Sequence, residues 1–514
     1  MSLLPLNLLL LFSLFFPSQC HRLNTDQSFI SMLITQKGLD FTKDLLVSKA
    51  ISSITPLRIP QIEKVIKIPF LGSVYVALSN ITIYQIDVPT SYIKPGDNGI
   101  AIVTSGSTCN LTMDWHYSYS SSWFFPVKVS DSGRAYVEVK GMEIGITLGL
   151  KNVEGFLEMS LLEGGCYVTD ISIALDGGAS WLYQGVVDAF DEQITSAVEN
   201  AITNELKSGV STLNSFLHEL PQEIAVDETA SLNVTFVNNI TLTDSSVGVE
   251  ISGLFSRRKI ESFSNHDFSN SQSVVSCHDN SKMLGISLDE AVFTSASNLY
   301  YNTELMQWSV DNVPDQSLLN TAGWKFIVPQ LYKKYPNDDM SLKITLSSPP
   351  AMRISSQNIV ATVNADLTIE IIDNGEVVPV ACISLVIHGS GSVKIVQNNL
   401  AGSVKLTDFT MVLKWSKIGN LRMFLIQPVV WTVIETVVLP YTNSHLEQGF
   451  PLPVIHGFTL QDAEIICSSS KITVCSNIDY TDDSPSLGFN LSSTLQKHFS
   501  SLFMKGVQNE VLFV

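Results

Sequence analysis

Basic residues are scarce. The chain has 30 Lys and Arg against 49 Asp and Glu, a formal net charge of −19 in 514 residues. A nucleic-acid binder needs a basic face to displace phosphate counterions, so that class is excluded. Charged residues of either sign make up only 15% while hydrophobic residues reach 45%, which excludes a disordered chain. No heptad pattern runs long enough for an extended coiled coil. Catalytic signatures are missing too: there is no GxSxG elbow, no HExxH and no GxxxxGKS/T. There is no CxxC, so a zinc or thioredoxin-like reading lacks support. His116, His278, His445 and His456 are scattered, none at metal-ligand spacing with another. HGSGS at 388–392 lies between two strand patterns and reads as a hairpin turn. The sequence therefore points to no enzyme, no cofactor and no metal.

What is present begins with an apolar run, LLPLNLLLLFSLFF at 3–16, followed by the small residues Ser18 and Cys20 before His21. That is the pattern of a cleaved export signal, with residues 1–20 removed and the mature chain secreted. A second apolar stretch, 423–440, is interrupted by Pro428 and Pro440 and carries Glu435. The 11 residues between the prolines would span about 17 Å as helix, short of a ~30 Å bilayer core, so a buried helix is expected there. Six cysteines follow the signal, at 109, 166, 277, 382, 467 and 475. Pairing is expected in an oxidising compartment. Cys467 and Cys475 flank a polar turn and suggest a bridge across one hairpin, and Cys277 could tether the polar stretch around it. Sequons at Asn80, Asn110, Asn233, Asn239 and Asn490 suggest surface glycans.

The length implies two to four domains. Residues 26–54 carry a helical pattern through Phe29, Leu33, Leu45 and Leu46. From about 66 to 176 the period changes to two, the mark of antiparallel strands with one wet face, and DSG at 131–133 reads as a turn. From Trp181 to about Leu220 apolar residues recur every three or four, giving a helix of some ~60 Å. So long a helix must lie along an equally long rolled sheet. Strands return at 231–254, and 256–283 is polar and serine-rich without a period. A second unit opens near 284 with a helix at 287–302, continues as strands from 342 to 414, and reaches a helical segment at 427–449 with strands at 456–466 and 471–479. Both units thus read helix, meander, helix, proline, which suggests two similar lobes.

Two features suggest binding. Long amphipathic helices on long strands either enclose an apolar tunnel or simply pack a core. In DWHYSYSSSWFFP (114–126), Trp115, Tyr117, Trp123, Phe124 and Phe125 either meet an apolar surface or fold back under a barrel end. Charge is uneven: residues 21–151 hold 12 bases and 10 acids, while 152–250 hold one base and 16 acids. An anionic ligand would favour the first segment, where Lys64 and Lys67 lie, although two such lysines also suit a solvated strand face.

The motifs ITQKGLDF (34–41), LRIPQIEKVIKIPFLG (57–72), MLGISLDEAVFTSASNLYY (283–301), LAGSVKLTDFTMVLKWSKIGNL (400–421) and GFPLPVI (449–455) come in a specific order and spacing. Over roughly 26–480 the chain resembles the lipopolysaccharide-binding protein and bactericidal/permeability-increasing protein family, of the plant type. The resemblance implies an α+β fold: two twisted antiparallel β-barrels, each wrapped on a long helix and joined by a central sheet into a boomerang. The central sheet would draw on 226–254 and strands near 456–480. It implies an N-terminal lipid-binding barrel (21–225), a central-strand and linker region (226–283), a C-terminal barrel (284–455), and return strands with a tail (456–514). It implies lipopolysaccharide or phospholipid as ligand, a membrane surface as partner, and a defence role. Phospholipid transfer without a microbial ligand is the alternative. An acyl pocket would draw on Phe29, Leu33, Leu45, Leu46, Val186, Phe190 and Ile194. The headgroup end would be formed by Lys64, Lys67, Trp115, Tyr117, Trp123, Phe124 and Phe125. The position matching the helix partner of the animal disulfide is Thr203, so Cys166 is expected to pair with Cys109 instead.

Overall fold

The structure is a computed structural model. It describes residues 27–481 apart from 69–71, 122–126, 177–179, 258–274, 276, 278–280, 304–305, 311–312 and 314–315. The expected signal, Asn490, Trp123, Phe124, Phe125 and the side chain of Val186 lie outside what is described.

Residues 26–54 are not one helix. Ile30–Thr35 is a strand, and the helix is Gln36–Ile54, capped where Thr35 Oγ1 accepts from Gly38 N–H. The strand wins because it is paired on both sides, Met32 opposite Val249 and opposite Ile286. Its backbone groups are thereby satisfied inside the protein.

The first lobe is an eight-stranded antiparallel sheet dominated by Gly72–Asp87, Gly99–Ser121 and Val127–Val153. DSG is not a turn: Asp131–Gly133 lie within Val127–Val153, with Trp115 opposite Gly133. The expected long helix is present as Ser180–His218, 39 residues. Phe190, Ile194, Val198 and Ile202 step by four along it and are buried against Leu111, Val139 and Met142. This is the period of one helix face.

The second lobe is a seven-stranded antiparallel sheet built mainly on Ile359–Asp373, Glu376–Val396 and Asn399–Ser416. HGSGS is not a hairpin turn, since Glu376–Val396 runs through it with a register shift at His388/Gly389. A bulge bends a strand without ending it. The prolines do not end the following helix either. It runs Met423–Val433, a π-helical turn Ile434–Val438, then Leu439–Leu446. These 24 residues are long and apolar enough to cross a membrane by length and composition, yet 28% of the most apolar window is buried. Ile426, Val429, Val430, Val433 and Ile434 pack into the second core, while Phe424, Trp431 and Tyr441 are exposed. The expectation of a buried helix therefore holds for one face only.

Between the lobes is a six-stranded sheet in the order Phe236–Leu242, Ser246–Ile251, Ile30–Thr35, Leu284–Asp289, Lys471–Tyr480, Phe458–Ser468. Its two middle strands differ from the expected helices: Ile30–Thr35 precedes the first helix, and Leu284–Asp289 takes the start of the expected 287–302 helix, which begins at Glu290. Each lobe contributes its opening strand and a later hairpin, so the sheet has the same composition read from either edge.

Cys475 is bonded to Cys277, not to Cys467. In the hairpin Cys475 lies opposite Glu464 and Cys467 opposite Ile472, three rungs apart, beyond the reach of one bridge. Cys109 and Cys166 remain thiols. They approach Val127–Val153 from its two sides, opposite Val139 and Ile144, so a strand separates them.

Candidate functional site

The cavity of interest lies under the long helix of the first lobe. Its wall is Val76 and Leu78 from one strand, Met113, Trp115 and Tyr117 from the next, Ile173 and Leu175 from Asp170–Asp176, and Val187, Phe190 and Ile194 from the helix. Inward residues alternate along each strand, because strand side chains alternate between faces. Every lining side chain is apolar or aromatic. To a water-sized probe the void is about 20 Å³. That is room for about one such sphere and not for a fatty tail.

Trp115 and Tyr117 belong to this wall and not to an exposed tip, which corrects the headgroup assignment. They are 4% and 9% exposed, with rings stacked at 6.0 Å, and the Trp115 indole N–H donates to the Arg134 carbonyl at 3.3 Å. Gly133 makes this possible: a Cβ there would meet the Asp176 carbonyl oxygen at 2.5 Å and the indole at 2.7 Å. Of the expected pocket residues, Phe190 and Ile194 line the cavity. Phe29 packs instead in the core of the central sheet. Leu33 is in a central strand and Leu45 and Leu46 are half-buried on Gln36–Ile54, so none of these four lines it. Val76, Leu78, Met113, Ile173 and Leu175 line it as well; the alternation in VYVAL and ISIAL puts Val76 with Leu78, and Ile173 with Leu175, on one face of their strands.

Lys64 and Lys67 lie on Ile62–Ile68, opposite Val76 and Ser73. They do not share a face. Lys64 shares the face of buried Ile66 and is half-buried, while Lys67 is on the opposite face and exposed. The pairing of Val74 with Tyr119 and of Ser120 with Lys128 places both lysines' strand near the end of the sheet where Gly99–Ser121 and Val127–Val153 meet. Lys128, exposed there, adds a third cation.

Two thiols complete the buried chemistry. Burial, with Cys166 nearby, pushes the Cys109 thiol up to about 12. Burial, with Glu199 nearby, does the same to Cys166. Among the described residues no group of His, Cys, Asp or Glu could hold a metal ion. Asn80 and Asn239 are exposed, whereas Asn110 and Asn233 are half-buried, their side chains bonded to Gln85 and to the Thr235 N–H.

Comparison with known proteins matches the N-terminal domain of the LBP / BPI / CETP family over residues 38–213 and its C-terminal domain over 224–480. A BPI/LBP family protein of Arabidopsis thaliana is 60% identical over 477 residues, 93% of this chain and 97% of that protein. Bactericidal permeability-increasing protein of Sebastes schlegelii is 23% identical, covering 88% of this chain and 95% of its own. Human lipopolysaccharide-binding protein is 22% identical, with 87% and 92% covered. A crystal structure of lipopolysaccharide binding protein aligns with a TM-score of 0.63 at 20% identity, over 88% of this chain and 99% of that one. That alignment shows the shared fold.

Proposed function

The chain belongs to the LBP / BPI / CETP family, and from that premise we propose that it is a secreted, glycosylated carrier that takes up the acyl chains of bacterial lipopolysaccharide in antimicrobial defence. The observation that carries this reading is the wholly apolar wall beneath the helix Ser180–His218. Each methylene moved from water into such a wall contributes about 0.8 kcal/mol, so fatty tails need no catalytic group to be retained. The helix would lift from the strands as tails enter, with Phe190 and Ile194 covering them and Trp115 and Tyr117 forming the floor. Lys67 and Lys128 would meet phosphate, Trp123, Phe124 and Phe125 would meet the membrane, and Lys64 would sit closer to the cavity.

The test is native mass spectrometry of the purified full chain, followed by uptake of lipopolysaccharide and of phosphatidylcholine. Bound lipid mass is expected, together with competition between the two. Ile194→Phe narrows the void, at about 1–3 kcal/mol of overpacking, and is expected to lower uptake of both. A bare mass and no uptake by the folded protein would remove the carrier reading. The second reading is phospholipid transfer without a microbial ligand. The acidic run favours it, since 16 acids and one base across 152–250 repel anionic glycolipid. Phosphatidylcholine outcompeting lipopolysaccharide would decide for it.

A further inference from the structure

The strands of the second lobe have two ends. One, around Val396–Asn399, rests on the central sheet: Asn398 Nδ2 donates to the Phe458 carbonyl and Leu400 joins the central core. The other end is assembled from three pieces. Asp339 lies opposite Ile372, and Asp373 opposite Glu376 closes the hairpin. The chain leaving Ser416 runs beside this hairpin, where the Lys417 N–H donates to the Val380 carbonyl. Residues 316–338 cap the same end through the Asn320–Asp339 bridge.

This outer end presents large apolar side chains to water. Phe326 is 86% exposed and Phe424 68%. Neither sits on a loose strand of chain. Trp324, Val328 and Leu331 on either side of Phe326 are buried, as are Ile418, Leu421 and Ile426 around Phe424, all in one contiguous core. The Trp324 indole N–H donates to the Leu318 carbonyl at 2.8 Å. The fold thus anchors the backbone on both sides and aims the rings outward. Exposed apolar patches held this way mark contact surfaces.

Charge identifies the partner. Residues 316–337 hold three lysines and no acid, and 409–434 hold two lysines, one arginine and no acid, in a chain of net −19. Lys414 is paired with Asp366, which leaves Lys325, Lys333, Lys334, Lys417 and Arg422 on the segments carrying the exposed rings. Lys417 sits 5.5 Å over the Trp415 ring and Lys325 5.3 Å over Tyr332. Among the described residues, the acids Asp339, Asp373 and Glu376 at this end are at strand termini, and Asp338 directly precedes one. Phe for the acyl boundary, Trp and Tyr at the headgroup level and long cations beside them are the composition of a surface that lies on a bilayer.

We propose that the outer end of the second lobe is a docking surface for bilayers carrying anionic phospholipid. This docking is separate from loading of the first-lobe cavity. The test is cosedimentation of the full chain with vesicles of phosphatidylcholine alone and of phosphatidylcholine with phosphatidylglycerol. Phe326→Ser with Phe424→Ser is expected to weaken binding to the mixed vesicles by roughly tenfold or more, while lipid uptake in solution and thermal stability stay unchanged. Phe326→Trp with Phe424→Trp should restore it. Lys325→Gln, Lys417→Gln and Arg422→Gln should each cost about fivefold on the mixed vesicles alone, more at low salt than at high salt. Wild-type binding by the serine variant overturns the proposal. So does equal loss on both vesicle types in the glutamine variants. A wild-type dimer that the serine variant dissolves would make the patch an interface between copies and overturn it as well.

Discussion

Gly133 shows how one residue's meaning changes with its neighbours. In DSG it resembles a turn glycine, but it faces Trp115 in mid-strand and leaves space for the indole. Gly133→Ala is therefore expected to destabilise the first lobe by about 1–3 kcal/mol through overpacking, read as a shift in the denaturation midpoint, and to disturb Trp115 emission. Cys109 offers a pH test. Its thiol is held protonated by burial, up to about 12 from an ordinary 9.0. The folded state thus binds this proton more tightly than the unfolded one. The contribution is complete below pH 9 and is lost as pH rises toward 12, by about 1.4 kcal/mol per pH unit at most. Thermal melts across that window should fall less steeply for Cys109→Ala, and the native thiol should resist iodoacetamide at pH 8. Tyr300, also raised by burial and its bond to Asp227, acts in the same direction from its ordinary 10.0 upward.

Elements were legible where the apolar period was long. Ser180–His218 announced itself through ten apolar residues spaced by three or four, and the alternating runs ITIYQIDV and RAYVEVK announced parts of Gly72–Asp87 and Val127–Val153. Ile30–Thr35 was not legible, because ISMLI has no strand period of its own and is fixed by partners more than 200 residues away. The apolar segment through Pro428 and Pro440 is longer than the 11 residues between them, because a proline inside a helix removes one bond without ending it: the helix starts five residues before Pro428 and continues through the π turn Ile434–Val438 past Pro440. Glu290 is another element-scale feature. Its carboxylate accepts from the buried Ile354 N–H at 3.0 Å and from Arg353 at 2.8 Å, tying Glu290–Asn302 to Ala351–Ile354. Arg353 is exposed, so the ion pair itself contributes little. Glu290→Ala leaves the amide unsatisfied and is expected to cost about 1–3 kcal/mol, measured by urea denaturation, whereas Arg353→Ala should cost far less.

At the scale of the whole molecule, two-lobe organisation could be read from the repeated order of helix, meander, helix and proline, while the cavity could not. Its walls come from three strands and a helix whose registers no local pattern contains, and the outward rings at Phe326 and Phe424 look in sequence like ordinary core residues. The Cys277–Cys475 bond spans 198 residues, so its reduction removes up to about 5 kcal/mol of chain-entropy stabilisation and should lower the melting temperature without dissociating the lobes. The central sheet has a further consequence. Ile30–Thr35 and Leu284–Asp289, from opposite halves, are zipped side by side in its middle. A protease site engineered within 258–274 should therefore yield two fragments that elute together under native conditions. Either half produced alone would bare a raw strand edge where its missing twin belongs, and should pair with its own kind or precipitate, so co-expression is the way to recover them.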